Sequence, residues 1–219
     1  MKLILISPED ERADEVSVVR ELFLRGLERY HLRKPGWSVG QVRSVLSAFP
    51  RSARSKIVLH HHHALVAEFE LAGAHWADNA DAPDRPPSDI GITSRACHDL
   101  TTLDRAVQHY DSVLLSPVFP SISKPGHGAR PLFDRALLRS KLAETDRLGR
   151  RADVFALGGI DVSNTSECAK LGFDGVAVLG AVWQSPRPTN AFLEIQAAVR
   201  AASAGAHATT MQHDRLASR

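Results

Sequence analysis

The sequence of 219 residues has only two cysteines, Cys97 and Cys168, and neither stands in a CxxC spacing. That leaves no basis for a disulfide scaffold or a cysteine-ligated zinc, and a reducing compartment fits. Long apolar runs are also missing. The longest, such as Leu3–Ile6 and Val176–Leu179, are far too short to cross a bilayer. Met1 leads directly into Lys2-Leu3-Ile4-Leu5-Ile6, with no room for a signal peptide of normal length. Charge of one sign is lacking as well: 27 Lys and Arg face 25 Asp and Glu, a net +2 with no basic block. Neither nucleic acid nor a membrane is therefore an implied partner. A cytoplasmic globular protein remains, long enough to bury a substantial core. Its excess is histidine, eleven in all, with four consecutive at His60–His63.

Short apolar runs alternate with helix-patterned segments along nearly the whole chain. The strand candidates are Leu3–Ile6, Leu27–Leu32, Ile57–Leu59, Gly73–Trp76, Ile90–Thr93, Val113–Leu115, Val154–Leu157 and Val176–Leu179. Most are continuously apolar, as expected of parallel strands covered on both faces. Val16, Val19 and Phe23 mark one amphipathic helix, and Leu103, Ala106, Val107 and Tyr110 another. Ser163 or Asn164 can cap a helix that Gly172 stops. The Asp- and Pro-rich stretch Asp78–Asp89 suits a loop. Eight such units predict an α/β fold, a (β/α)8 TIM barrel over 1–201, with 202–219 as a flexible C-terminal tail. A doubly wound open sheet would normally carry a glycine-rich turn after the first strand, but Ser7-Pro8-Glu9-Asp10 follows Ile6.

Barrel chemistry sits in the loops after the strands. Arg33 and Lys34 follow the second, His60–His63 the third, and Asp78 and Asn79 the fourth; His75 closes that fourth strand. Thr93, Ser94 and His98 follow the fifth, and Ser116-Pro-Val-Phe-Pro-Ser-Ile-Ser-Lys124 the sixth. Gly158-Gly159 and Gly180 close the seventh and eighth. Glycines there expose backbone N–H groups to a phosphate, so a phosphorylated small molecule is the expected ligand.

These residues resemble the thiamine-phosphate synthase family, which shares its barrel with the TenI-like thiazole tautomerases. The likeness runs from Leu3 to about Val182. Leu115-Ser-Pro-Val-Phe-Pro-Ser-Ile-Ser-Lys124 is similar to the family's Gly-Pro-Val-Phe-Pro-Thr-x-Thr-Lys loop. Ala156-Leu-Gly-Gly-Ile160, Gly172-Phe-Asp-Gly-Val-Ala-Val178 and His31-Leu-Arg-Lys34 match three further stretches in the same order. The resemblance implies a transferase that joins hydroxymethylpyrimidine diphosphate to a thiazole phosphate and releases pyrophosphate. It places Lys124 and Arg33 on the diphosphate as catalytic cations. Lys34 is expected at a phosphate as well, one position before the family's second basic residue. Ser121 and Ser123 fall at two substrate-binding hydroxyls, and Thr93 (or Ser94) at a third. His31 replaces a glutamine that reads the pyrimidine, and the backbone at Gly158, Gly159, Leu179 and Gly180 is expected to hold the thiazole phosphate. The implied partners are small phosphorylated substrates, and a homodimer is left open.

Magnesium is the implied cofactor, yet the matching positions differ. An ungapped match puts His60 on the family's substrate-side Asn and His61 on its metal-binding Asp, with Asp78 near the second ligand. His61 and Asp78 are thus the candidate metal residues, although magnesium prefers oxygen ligands and imidazole suits zinc, nickel, copper or iron. The histidine run has three readings. On an extended segment His60 would face with His62, and His61 with His63, as a transition-metal site. Alternatively the run lines the substrate pocket, or one or two members do and the rest meet solvent. Two other functions are weighed. One is a thiazole tautomerase-like isomerase, whose acid/base histidine position is occupied here by Pro117. The other is a non-catalytic barrel that binds phosphate ligands.

Overall fold

The structure, a computed structural model, describes residues 1–120, 133–149 and 152–217, the side chains of 206–217 excepted. The chain begins β1 (Lys2–Ile6), α1 (Glu15–Leu24), β2 (Arg29–Leu32), α2 (Val39–Ala48), α3 (Arg51–Arg54) and β3 (Ile57–Leu59). It continues through α4 (Leu65–Phe69), β4 (Gly73–Trp76), β5 (Ile92–Cys97), α5 (Leu100–Ala106), β6 (Ser112–Leu115) and α6 (Arg135–Arg147). β7 (Asp153–Leu157), α7 (Thr165–Leu171), β8 (Gly175–Val178), α8 (Gly180–Trp183) and α9 (Pro188–Ala217) complete it. The strands pair in parallel in sequence order, and β1 pairs with β8 to close the eight-stranded barrel. The chain is therefore a (β/α)8 barrel.

Alternation along each strand divides the core into two regions. Outward residues such as Leu5, Tyr30, Leu32, Leu59 and Val176 pack against the helices in one continuous cluster. Inside the barrel, Ile4, Ile6, Leu114, Phe155 and Ala177, with Leu157 and Leu179, form a separate apolar cluster. Those lumen residues come from β1, β6, β7 and β8 and the residue after β8. Opposite them, His31, His75 and Ser94 stand at inward positions of β2, β4 and β5, with His60 directly after β3 beyond the inward Val58, so this wall carries the polar groups. Continuous apolar strands conceal this split, because the helix-facing residues alone make each run read as buried.

β2 starts at Arg29 rather than Leu27, and β5 differs more. β5 starts at Ile92 and runs to Cys97, two residues later and longer than Ile90–Thr93. Its polar letters Thr-Ser-Arg masked the continuation, since their side chains find partners inside the fold. α9 runs on through Ala217, over an alanine-rich stretch with good helix propensity. α9 is anchored by buried Phe192, Ile195 and Val199. Cys97 and Cys168 are buried free thiols, both pushed up to about 12 mainly by burial, which removes them as nucleophiles. No helix among the described residues is long and apolar enough to cross a membrane.

Candidate active site

The C-terminal ends of the strands open on one mouth. There Ser7, fully buried after β1, ties the first loop to the second. Its Oγ lies 2.8 Å from both the N–H and the carbonyl oxygen of Arg33. This fixes the Arg33 backbone and leaves its guanidinium, about one-third exposed, paired with the Glu9 carboxylate. Arg33 is therefore a mouth cation, as expected, but a carboxylate already faces it.

Lys34 is placed differently from the expectation. Its Nζ donates to Pro8 O at 2.7 Å, Asp10 O at 3.0 Å and Glu15 Oε2 at 2.5 Å. The three donors of an ammonium are thereby occupied, and the ion pair is almost fully buried. The other Glu15 oxygen accepts from Tyr30 Oη at 2.7 Å. Burial raises the Glu15 carboxyl above its usual range, against the lowering effect of Lys34 and Tyr30. Lys34 thus organises the loops that carry Arg33 rather than reaching a phosphate.

The histidine run divides at the end of β3. His60 turns into the lumen, where its Nε2 lies 3.0 Å from His31 Nδ1 and its ring stacks on His75 at 4.0 Å. His75 Nδ1 in turn lies 2.9 Å from the buried Ser94 Oγ. Burial pushes His31 down to about 3, with the charge of Arg29 acting the same way. His60 and His75 are also held well below the usual histidine value, chiefly by burial, then His60 by the His75 and His31 rings and His75 by His31. His61 is exposed at the rim. His62 takes a left-handed φ of 57° and donates to Trp37 O at 2.8 Å, while His63 donates to His75 O at 3.1 Å. The chain has left the extended conformation at this point. The alternate-face pairing of His60 with His62 and His61 with His63 is consequently not formed.

Neither His61 nor Asp78, the expected metal pair, belongs to a group of three or more potential ligands among the described residues. Asp78 Oδ2 accepts the His98 N–H at 3.1 Å in the neighbouring loop. Among the described residues the one group able to hold an ion is His31, His60 and His75, with one ring nitrogen of each within 4.8 Å of the others. Magnesium requires oxygen ligands in near-octahedral array. Three imidazole nitrogens do not fit it.

Thr93 also moves. With β5 starting at Ile92, it lies at the opening of the strand, and its Oγ1 donates to Asp111 Oδ2 at 2.7 Å. Ser94 is the hydroxyl that enters the lumen. At the far wall Gly158 and Gly159 have φ of 94° and 63°. A Cβ on Gly159 would lie 2.1 Å from Pro120 O, so only glycine lets the chain after β6 run this close. Val118 and Phe119 donate to Leu157 O and Gly158 O at 2.9 and 3.1 Å, seating that segment on the end of β7. Leu179 and Gly180 lead from β8 into α8, whose Trp183 Nε1 donates back to Ile6 O at 2.7 Å. Ser121, Ser123 and Lys124 lie outside the described residues. Residues that the sequence motifs missed include Ser7, Glu9 and Glu15. The signal for Glu9 and Glu15 was an acidic first loop facing a basic second one.

Residues 3–182 match the family model for thiamine monophosphate synthase. A thiamine-phosphate synthase from Listeria innocua is 25% identical over 182 residues, 77% of this chain and 82% of that protein. The solved thiamine phosphate pyrophosphorylase from Bacteroides thetaiotaomicron is 28% identical with a TM-score of 0.75, covering 91% of this chain and 98% of the other. A thiamine phosphate pyrophosphorylase from Pyrococcus furiosus shares the fold at 20% identity and a TM-score of 0.73, over 92% of this chain and 96% of its own.

Proposed function

The chain belongs to the thiamine monophosphate synthase family, and we propose that it joins hydroxymethylpyrimidine diphosphate to thiazole phosphate as a transferase of thiamine biosynthesis. The observation that carries this reading is a family match running from β1 through α8, across every strand of the barrel.

In this reaction the bond from the pyrimidine methylene carbon to the diphosphate oxygen breaks, and its electron pair leaves with pyrophosphate. The lone pair of the thiazole nitrogen then forms the new C–N bond, giving thiamine phosphate. Charge develops on the leaving group, so fixed cations facing it lower the barrier most. Arg33 and Lys124 fill that role, Arg33 with the fork that meets two phosphate oxygens at once. His31 and His60 face the pyrimidine, where a neutral imidazole offers one donor or one acceptor to a ring nitrogen or amine. Ser121 and Ser123 present hydroxyls to the phosphate-rich centre. The backbone at Gly158, Gly159, Leu179 and Gly180 receives the thiazole phosphate. The apolar wall of Leu114, Phe155 and Leu157 keeps water from the cation formed between the two steps.

His61 in place of an aspartate makes the metal site divergent, and the cations assigned to the leaving group are side chains of the chain itself. The tautomerase reading is not favoured, because Pro117 at the acid/base position has no proton to exchange. Incubating the full chain with both precursors and following thiamine phosphate tests the proposal. Tight binding of one precursor without product would instead indicate a binding barrel.

A further inference from the structure

We propose that His31, His60 and His75 form a site for one divalent transition-metal ion of the zinc class, set in the polar wall of the barrel lumen. The assignment goes beyond the coupling reading and does not depend on it.

The geometry is close to that of a bound ion. The three candidate nitrogens lie within 4.8 Å of one another, and His31 Nδ1 is 3.0 Å from His60 Nε2. Nitrogens bound to tetrahedral zinc at about 2.0–2.1 Å stand about 3.4 Å apart. Closing the trio on an ion thus takes side-chain rotation on the order of 1 Å, which includes unstacking His60 from His75.

The donor chemistry selects the metal. No carboxylate belongs to the group, and imidazole nitrogens favour zinc, cobalt, nickel or copper over magnesium or calcium. Neutral imidazole is the form that ligates a metal.

A supporting partner is already in place. Ser94 Oγ, buried and 2.9 Å from His75 Nδ1, orients that ring and leaves Nε2 as the ligand atom. β2 and β4 supply His31 and His75, and His60 follows β3 between them, so two of the three ligands stand on the rigid wall of the barrel. Three imidazoles leave a fourth position open, as reactive zinc sites do. Its ligand class is an oxygen donor, water or a phosphate oxygen.

Cobalt(II) titration of the chelator-stripped full chain, without substrates, tests the site. The expected result is one equivalent bound with the intense visible absorption of low-coordinate cobalt. Zinc should displace it, and magnesium in about a thousandfold excess should not. A variant with His61, His62 and His63 all changed to alanine should keep the spectrum, whereas His75→Ala should abolish it. Ser94→Ala should weaken binding about 10- to 100-fold, and Ser94→Thr should restore it. X-ray absorption of the zinc-loaded wild type counts imidazole ligands directly, which decides the matter even if His75→Ala does not fold. Three imidazoles support the site; fewer overturn it. Loss of the spectrum in the His61/His62/His63 variant would assign binding to the exposed run and overturn the proposal. Failure to bind a stoichiometric ion, or an unchanged spectrum in folded His75→Ala, would do the same. None of these readouts involves coupling activity, so the metal site and the synthase function can fail separately.

Discussion

His31 and His60 meet nitrogen to nitrogen, Nδ1 to Nε2 at 3.0 Å, inside a barrel whose opposite wall is aliphatic and aromatic. Two imidazoles in such a contact hold one hydrogen between them, which excludes the doubly charged pair. Burial lowers both rings further, against any charge on the pair.

Acid should therefore unfold the metal-free protein earlier than its carboxylates alone would. His31 and His75 are both buried and depressed in the native state, His31 to about 3. A depressed folded value contributes stability that is fully present above the ordinary histidine value of about 6.5 and is lost as pH falls toward the folded value. His60 is depressed with them, so three protons are taken up on unfolding, and stability should fall by up to about 4 kcal/mol per pH unit below roughly pH 6. Urea titrations across that range measure the slope, and His75→Gln should reduce it by about 1.4 kcal/mol per unit.

Lys34→Met should cost about 3–5 kcal/mol, because it strands the Glu15 carboxylate in the core without its cation. Adding Glu15→Leu should recover part of the loss. A double-mutant cycle in urea measures both. A loss below about 1 kcal/mol for Lys34→Met would mean that the pair is solvated in solution.

Gly159→Ala should act on function more than on stability. The added Cβ collides with Pro120 O and Phe119, pushing the chain after β6 away from β7. Stability should fall by about 1–3 kcal/mol. The coupling rate should fall about 100-fold, as expected when a reacting group shifts by an ångström.

Glu9→Gln should improve use of the diphosphate substrate. The carboxylate pairs with Arg33 at a partly exposed position, where such contacts are worth at most about 1 kcal/mol. KM for the diphosphate should fall by up to about fivefold, with kcat little changed. Arg33→Ala should move KM the other way.

The barrel was readable because its strands are short continuous apolar runs, which eight parallel strands under helices require. The lumen was harder to read. His31 and His75 are single polar residues within buried strands, and their meeting depends on the register of β2, β3 and β4, which periodicity does not reveal. The boundary of β5 failed for a related reason: Thr93, Ser94 and Arg95 look like a loop until Asp111, His75 and Tyr110 are placed around them. Arg33 was legible from its motif, but the partner of Lys34 lies 19 residues away on α1, and no local pattern announces a buried ion pair.

The most direct measurement follows the coupling reaction from both products at once, in the wild type and in Lys124→Ala. The account predicts that the wild type converts hydroxymethylpyrimidine diphosphate and thiazole phosphate into thiamine phosphate and pyrophosphate in equal amounts, and that Lys124→Ala loses at least about 100-fold in rate. Absence of product from the folded wild type, or full activity in Lys124→Ala, would contradict it.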